Sequence, residues 1–183
     1  MRFYYTKLMT KFKNLARFVL ILFLLSCTQK EPDFYKVTEI NDGDTITVAF
    51  KSKGIFPLQI EKIRLIGIDA PELGQKPWGQ KAKKHLKKLI EESGYYVKIE
   101  FDIQQRDKYG RLLAYLWDTK GRMINYMMVK DGYAFVYTIP PNVKYADKLL
   151  EAQKIARQEQ KGIWSNKGLK EKPSNWRKKH PRN

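Results

Sequence analysis

Short segments in which apolar and polar residues alternate dominate the middle of the chain. The alternation recurs over residues 34–50, 58–68, 95–103 and 111–117 and is typical of strands that bury one face. The first of these segments is interrupted at residues 41–44 by Asn, Asp and Gly, which favour a turn. The pattern therefore predicts five short strands.

Three other segments carry apolar residues at three- and four-residue steps, which is typical of helices. They cover residues 77–92, 123–130 and 144–160. Loops rich in polar residues, Gly or Pro are predicted at 51–57 and 104–110. A mainly β fold of five short strands with about three helices is compatible with a small Greek-key barrel of the OB type.

The start of the chain has the pattern of an export signal. Residues 1–17 contain five basic residues and no acidic one, and residues 18–25 are an unbroken apolar octet. Such an octet is too short to span a bilayer, whereas a basic segment followed by a short apolar one is typical of an export signal. The sequence Leu-Leu-Ser-Cys at 24–27 resembles a bacterial lipobox, in which cleavage precedes a cysteine that becomes lipidated.

Composition divides the chain into four segments. We predict a signal peptide over 1–26, a short linker over 27–33, a folded domain over 34–166 and a basic tail over 167–183. With Cys27 as the lipidation site, the protein is expected to be an exported lipoprotein that faces the periplasm or the cell exterior. A plain secreted protein and an uncleaved N-terminal anchor are the alternatives.

The charge of the chain favours a polyanionic partner. Its 36 lysine and arginine residues against 19 acidic residues give a net charge of +17, which suits nucleic acid or an anionic membrane. The chain has one cysteine and two histidines. That composition excludes an internal disulfide and a Cys/His zinc cluster.

Carboxylates and arginines stand together at the predicted strand ends. Carboxylates so placed can hold a hard divalent cation, and arginines can fork onto phosphate oxygens. Phosphodiester hydrolysis needs both, although turn aspartates and surface ion pairs would give the same pattern. Spacing alone does not show that the clusters meet. The candidate residues are Asp42, Asp44, Arg64, Asp69, Glu72, Lys108, Tyr109 and Arg111.

Three longer motifs, in this order, closely resemble the staphylococcal nuclease (thermonuclease) family. They are NDGDT at 41–45, RLIGIDAPE at 64–72 and DKYGRLLAY at 107–115. Later landmarks are also similar, and the resemblance covers about residues 34–179. These later landmarks are Gly132-Tyr133-Ala134, Gly162-Ile163-Trp164 and Trp176-Arg177-Lys178.

The resemblance implies a role for each residue of a calcium-dependent active site. Asp44 and Asp69 match calcium-binding aspartates, and Ala70 matches a residue whose backbone carbonyl is a ligand. Glu72 matches the carboxylate that orients or deprotonates water. Arg64 matches the arginine that bridges the scissile phosphate.

It also implies residues that bind the substrate. Arg111 matches the arginine that stabilises the developing charge and the leaving group. Lys108 and Tyr109 match residues that hold a terminal phosphate of the nucleotide, and Tyr137 matches a tyrosine of the nucleotide pocket.

The function expected from this resemblance is a calcium-dependent endonuclease. It would be a monomer that hydrolyses DNA and RNA and leaves 3′-phosphate products. Two alternatives from other classes remain: a non-catalytic OB-type module that binds nucleic acid, and a surface lipoprotein that binds polyanions.

Overall fold

The computed structural model describes residues 34–50 and 59–181. The predicted signal peptide, Cys27 and the predicted loop at 51–57 lie outside the described residues. Within the described part of the chain, no helix has both the length and the apolar character needed to cross a membrane.

Five strands close into a barrel in the order β1-β2-β3-β6-β5, which confirms the predicted five-stranded OB-type architecture. Neighbouring strands are antiparallel except β3 and β6, which are parallel. Residues that point inward on alternate positions, such as Ile46, Val48, Ile63 and Leu65, are fully buried. The strands are β1 (Tyr35–Ile40), β2 (Thr45–Phe50), β3 (Gln59–Leu65), β5 (Tyr96–Arg106) and β6 (Leu112–Trp117).

A two-stranded sheet lies beside the barrel and was only partly predicted. The segment predicted as one strand over 58–68 is divided into β3 and β4 (Gly67–Asp69), and β4 pairs with β7 (Phe135–Tyr137). Gly67 permits the division because its φ is +79°, and a Cβ there would lie 2.5 Å from Leu149 Cδ1. This kink sets Asp69 and the residues after it apart from the barrel wall.

In residues 34–50 and 59–181, four helices pack beside the sheets. They are α1 (Trp78–Glu92), α2 (Ile124–Lys130), α3 (Ala146–Gln158) and α4 (Pro173–Lys179), and a 3₁₀ turn covers Gly162–Trp164. The first three agree with the predicted helices to within about two residues. Apolar positions of α1, among them Ala82, Leu86 and Ile90, are buried in the main core. The fourth, α4, lies in the segment predicted as a basic tail, and it brings that segment onto the domain.

Candidate active site

A cleft of about 1010 Å³ opens beside the start of β2 and the end of β3. It collects residues that are far apart in the sequence, including most of the predicted site. Among its lining residues are Asp42, Asp44, Lys62, Arg64, Glu72, Lys108, Tyr109, Arg111, Tyr137, Arg177 and His180. Asp69 and Ala70 are buried below the surface of the cleft. Asp69 contacts Arg64, and Ala70 contacts Asp44.

Arg64 joins the two aspartates that were predicted to bind calcium. Its Nη2 atom lies 3.1 Å from Asp44 Oδ2 and 3.3 Å from Asp69 Oδ1. Asp44 Oδ2 also accepts a hydrogen bond of 2.8 Å from the backbone N–H of Ala70. One carboxylate oxygen from the turn before β2 and one from β4 therefore point toward a single cationic group.

The turn at residues 41–44 places Asp44 at the start of β2. Asp42 Oδ1 accepts a hydrogen bond of 2.9 Å from the backbone N–H of Asp44, which closes the turn. A Cβ on Gly43 would lie 2.7 Å from the Cβ of Ala70 and 2.8 Å from that of Ala82. The glycine is thus needed for the close approach of this turn to the chain that follows Asp69.

The environment of Asp44 favours its neutral form more than water does, even with Arg64 beside it. Burial raises the pKa of Asp44 from 3.8 to about 7, and the charges of Asp42 and Asp69 act in the same direction, while Arg64 and the Ala70 hydrogen bond oppose them. A buried carboxylate of this kind gains stability from an additional positive charge. The electrostatics of the cluster therefore suit a bound cation.

Glu72 lies beyond Asp69 and shares a partner with it. Arg177 Nη1 lies 2.8 Å from Glu72 Oε1 and 2.9 Å from Asp69 Oδ1, and its Nη2 lies 3.1 Å from Asp69 Oδ2. Burial alone would lower the pKa of Arg177, but the hydrogen bonds to these carboxylates outweigh burial and raise it. Arg177 was noted in the sequence only as part of a landmark, and no role was predicted for it.

Arg111 occupies the turn between β5 and β6. Its Nε donates a hydrogen bond of 2.8 Å to Asp107 Oδ2, while Asp107 Oδ1 accepts from the backbone N–H groups of Tyr109 and Arg111. The side chain lines the cleft. Its ion pair, however, is with Asp107, a partner that sequence reasoning did not single out.

The predicted substrate-binding residues form an exposed wall of the cleft. Tyr109 is 73% exposed and Tyr137 45% exposed, and Lys108 Nζ lies 5.1 Å from the centre of the Tyr109 ring. Such rings offer faces on which bases can stack, and the lysine offers charge for phosphate. Gln104 and Asn142, which the sequence did not indicate, line the same cleft and hydrogen-bond each other.

The cleft thus brings together most of the residues that the sequence predicted, and it adds Arg177 from the C-terminal segment. The structure brings Asp44, Arg64, Asp69 and Glu72 into one connected cluster. Arg111 lines the same cleft, where its ion pair is with Asp107. The signals for Arg177 were its place in the Trp176-Arg177-Lys178 landmark and the presence of an aromatic residue in an otherwise charged tail.

Comparison with known proteins gives a consistent family. The model of the staphylococcal nuclease homologue family matches residues 62–166. Thermonuclease of Staphylococcus hyicus is 37% identical over 137 residues, which cover 72% of this chain and 76% of the relative. An uncharacterised endonuclease of Haemophilus influenzae is 35% identical over 165 residues, or 90% of this chain and 84% of the relative.

Thermonuclease of Staphylococcus intermedius is 36% identical over 147 residues, which cover 78% of this chain and 82% of the relative. The family model spans the end of β3, the loop that carries Glu72, and the turn that carries Arg111. Barrel, motifs and relatives therefore agree, and the chain belongs to the staphylococcal nuclease family of nucleic-acid hydrolases.

Proposed function

We propose that this protein is a calcium-dependent phosphodiesterase that cleaves DNA and RNA internally and leaves 3′-phosphate ends. The observation that carries the proposal is the connected cluster of Asp44, Arg64, Asp69 and Glu72 in a cleft that also contains Arg111. Hydrolysis of a phosphodiester requires positive charge on the phosphate oxygens and a carboxylate beside the attacking water. The relatives named thermonuclease and endonuclease support the same activity.

The donor atoms at this site fit calcium. Calcium prefers oxygen ligands and accepts backbone carbonyls and water beside carboxylates. In the ranges 34–50 and 59–181, no three carboxylate, imidazole or thiol groups form a complete cage for a metal. Asp44 and Asp69 would therefore hold the ion together with the Ala70 carbonyl and water. When bound, the ion would supply positive charge to a non-bridging phosphate oxygen.

The side chains of the cleft divide the remaining work. Arg64 and Arg111 would each donate to phosphate oxygens, where negative charge builds up as the water attacks. Glu72 would orient the water and take its proton while the new bond from oxygen to phosphorus forms. The bond from phosphorus to the 5′-oxygen then breaks, and that oxygen takes a proton from solvent. The phosphate stays on the 3′-oxygen.

Exposed aromatic rings and lysines explain why both DNA and RNA would be substrates. Stacking on Tyr109 and Tyr137 and charge from Lys108 are insensitive to base identity. This kind of binding requires no side chain that hydrogen-bonds to the edges of particular bases. A flexible single strand of either nucleic acid would therefore be able to enter.

The proposal is tested by cleavage of single-stranded DNA and RNA with calcium and with EDTA. Wild type should cleave both only with calcium. Glu72→Gln should lower kcat by about 1000-fold because general-base catalysis typically contributes ~10² to 10⁴. Glu91→Gln is the matched control, since Glu91 is an exposed glutamate of α1. Tight binding without cleavage in calcium would reject the hydrolase and favour a non-catalytic module.

We also propose that the protein is anchored to a membrane by lipid on Cys27. The basis is the sequence alone: a basic segment, a short apolar octet and a cysteine in a lipobox-like context. More than one acyl chain would give stable anchoring without a spanning helix. Cys27→Ser should move nuclease activity from the membrane fraction to the soluble fraction, and an unchanged distribution would reject the anchor.

A further inference from the structure

The C-terminal segment contacts the carboxylates of the proposed site through Arg177. Arg177, on α4, contacts both oxygens of Asp69 and one oxygen of Glu72 at 2.8 to 3.1 Å. It therefore joins the expected calcium ligand to the carboxylate expected to orient water. These contacts link positions more than 100 residues apart in the sequence.

Two further contacts hold the segment against the loop that carries Glu72. The buried side chain of Gln75 accepts a hydrogen bond of 3.0 Å from the Glu72 backbone N–H and donates one of 2.8 Å to the Glu171 carbonyl. The Trp176 ring covers Gly74, where a Cβ would lie 3.2 Å from Trp176 Cζ2. The loop and the tail are thus connected at three points.

The geometry of these contacts restricts how the two carboxylates can rotate. A guanidinium fork on both oxygens of Asp69 fixes the plane of that carboxylate, because the two bonds must remain nearly parallel. The Nη1 atom that binds Asp69 also binds Glu72 Oε1, which ties the orientation of Glu72 to that of Asp69. A lysine at position 177 could supply charge, but it could not supply the fork.

The charge of Arg177 has a second effect on the cluster. Asp44, Asp69 and Glu72 carry three negative charges when ionised. With Arg64 as the only positive group, the cluster would keep an excess of two negative charges. Arg177 reduces this excess to one, which weakens attraction for a divalent cation and weakens repulsion of the substrate phosphate. Arg177 would therefore both position the carboxylates and lower the affinity of the site for calcium.

We propose that Arg177 is a positioning residue of the proposed nuclease, which holds Glu72 and Asp69 in the orientation the reaction uses and makes the C-terminal helix part of the active site. The inference rests on the proposed function and adds to it a third arginine. It predicts opposite changes in two measured quantities when the side chain is removed. A purely structural residue would change both in the same direction.

The test compares Arg177→Ala, Arg177→Lys and wild type. Calcium affinity is measured by calorimetry on the enzyme without substrate, and kcat and KM are measured on single-stranded DNA at saturating calcium. Arg177→Ala should bind calcium about tenfold more tightly, because one nearby positive charge is gone. Its kcat should fall about 100-fold, because misplacement of a catalytic group by ~1 Å costs that much.

The lysine variant separates charge from geometry. Arg177→Lys should keep the calcium affinity of wild type and recover kcat only in part, because it cannot fork. Lys178→Ala is the matched control, since it removes one positive charge from an exposed position of the same helix. Both its calcium affinity and its kcat should stay near those of wild type.

The outcomes distinguish this inference from the proposed function. An increase in kcat of Arg177→Ala would make Arg177 an inhibitory plug, and an unchanged kcat would remove it from the reaction; either result overturns the inference. A parallel loss of calcium binding, kcat and resistance to urea would assign the residue to folding and also overturn it. Failure of the wild type to cleave DNA in calcium would instead reject the proposed function itself.

Discussion

At the scale of single residues, the same five-residue turn occurs twice, and only one copy lines the cleft. Asp107 accepts hydrogen bonds from the backbone and from the Nε of Arg111, four residues later. Asp118 does the same for Arg122, with distances of 2.7 and 2.6 Å. Both turns have a glycine at the fourth position with φ of +81° or +74°. The motif is therefore a stable turn in itself, and its location determines what the arginine can do.

This pair gives a matched test of Arg111. Removal of either arginine side chain breaks the local ion pair of its turn, and Arg122→Ala also breaks an ion pair of 3.2 Å with Glu92, so Arg122→Ala should destabilise the fold at least as much as Arg111→Ala. Only Arg111 lines the cleft, where loss of one donor to the transition state typically costs ~10² to 10³ in rate. We expect kcat/KM on single-stranded DNA to fall at least about 100-fold for Arg111→Ala and to stay within about twofold for Arg122→Ala. Equal losses in the two variants would mean that Arg111 acts only through the turn.

At the scale of elements, the length of a pattern determined how well it could be predicted. The barrel strands and α1 to α3 carry several apolar residues at a regular period, so the sequence indicates them. The strand β7 has only three residues, and α4 has Trp176 as its one large apolar residue, so neither shows an apolar period. Both exist because of contacts made elsewhere: β7 pairs with β4, and α4 is held by Gly74 and Gln75.

The candidate site likewise combines local motifs that the sequence shows with a long-range contact that it does not show. The motif around Asp44 and the motif from Arg64 to Glu72 each determine a local turn, and their resemblance to a family indicated that they meet. The contact of Arg177 with Asp69 spans 108 residues and leaves no local pattern in the sequence. It could be seen only once the fold had brought the C-terminal segment to the cleft.

A glutamate on β5 connects this strand to the start of α3 and should make stability depend on pH. Glu100 accepts hydrogen bonds from Trp117 Nε1 at 2.7 Å, Lys144 Nζ at 2.5 Å and Tyr145 OH at 3.0 Å. Burial alone would raise the pKa of Glu100, but these three donors outweigh it and lower the pKa below its ordinary value of 4.5. The stabilisation is present above pH 4.5 and is lost as the pH falls through the lower pKa of the folded state.

We expect Glu100→Gln to lower the free energy of unfolding by about 1 kcal/mol at pH 7, since the charged acceptor is replaced by a neutral one at a partly exposed site. The difference from wild type should shrink as the pH falls below the ordinary pKa of 4.5. Urea unfolding at pH 7 and pH 3 measures it, with the exposed Glu151→Gln as control. A difference independent of pH would show that the side chain acts by packing rather than by charge.

At the scale of the whole molecule, the net charge of +17 is divided among parts with different tasks. Five positive charges lie in the predicted signal peptide, and the predicted tail holds seven basic residues and one acidic residue. One of these seven basic residues, Arg177 of α4, lines the cleft. The exposed face of α1 carries several lysines, including Lys84 and Lys88, none of which lines the cleft. We therefore expect their charge to act on nucleic acid from a distance.

Such charges should steer the substrate without taking part in the reaction. Attraction between exposed charges is screened beyond about 10 Å at 0.1 M salt and beyond about 3 Å at 1 M. The double variant Lys84→Gln/Lys88→Gln should therefore lower kcat/KM on single-stranded DNA about threefold at 0.05 M salt, leave kcat unchanged, and match wild type at 0.5 M salt. A loss that persists at high salt would mean that these lysines contact the bound strand directly, because attraction over longer distances is almost fully screened at 0.5 M salt. The proposed site would then extend along α1, and the nucleic acid would follow the helix away from the barrel.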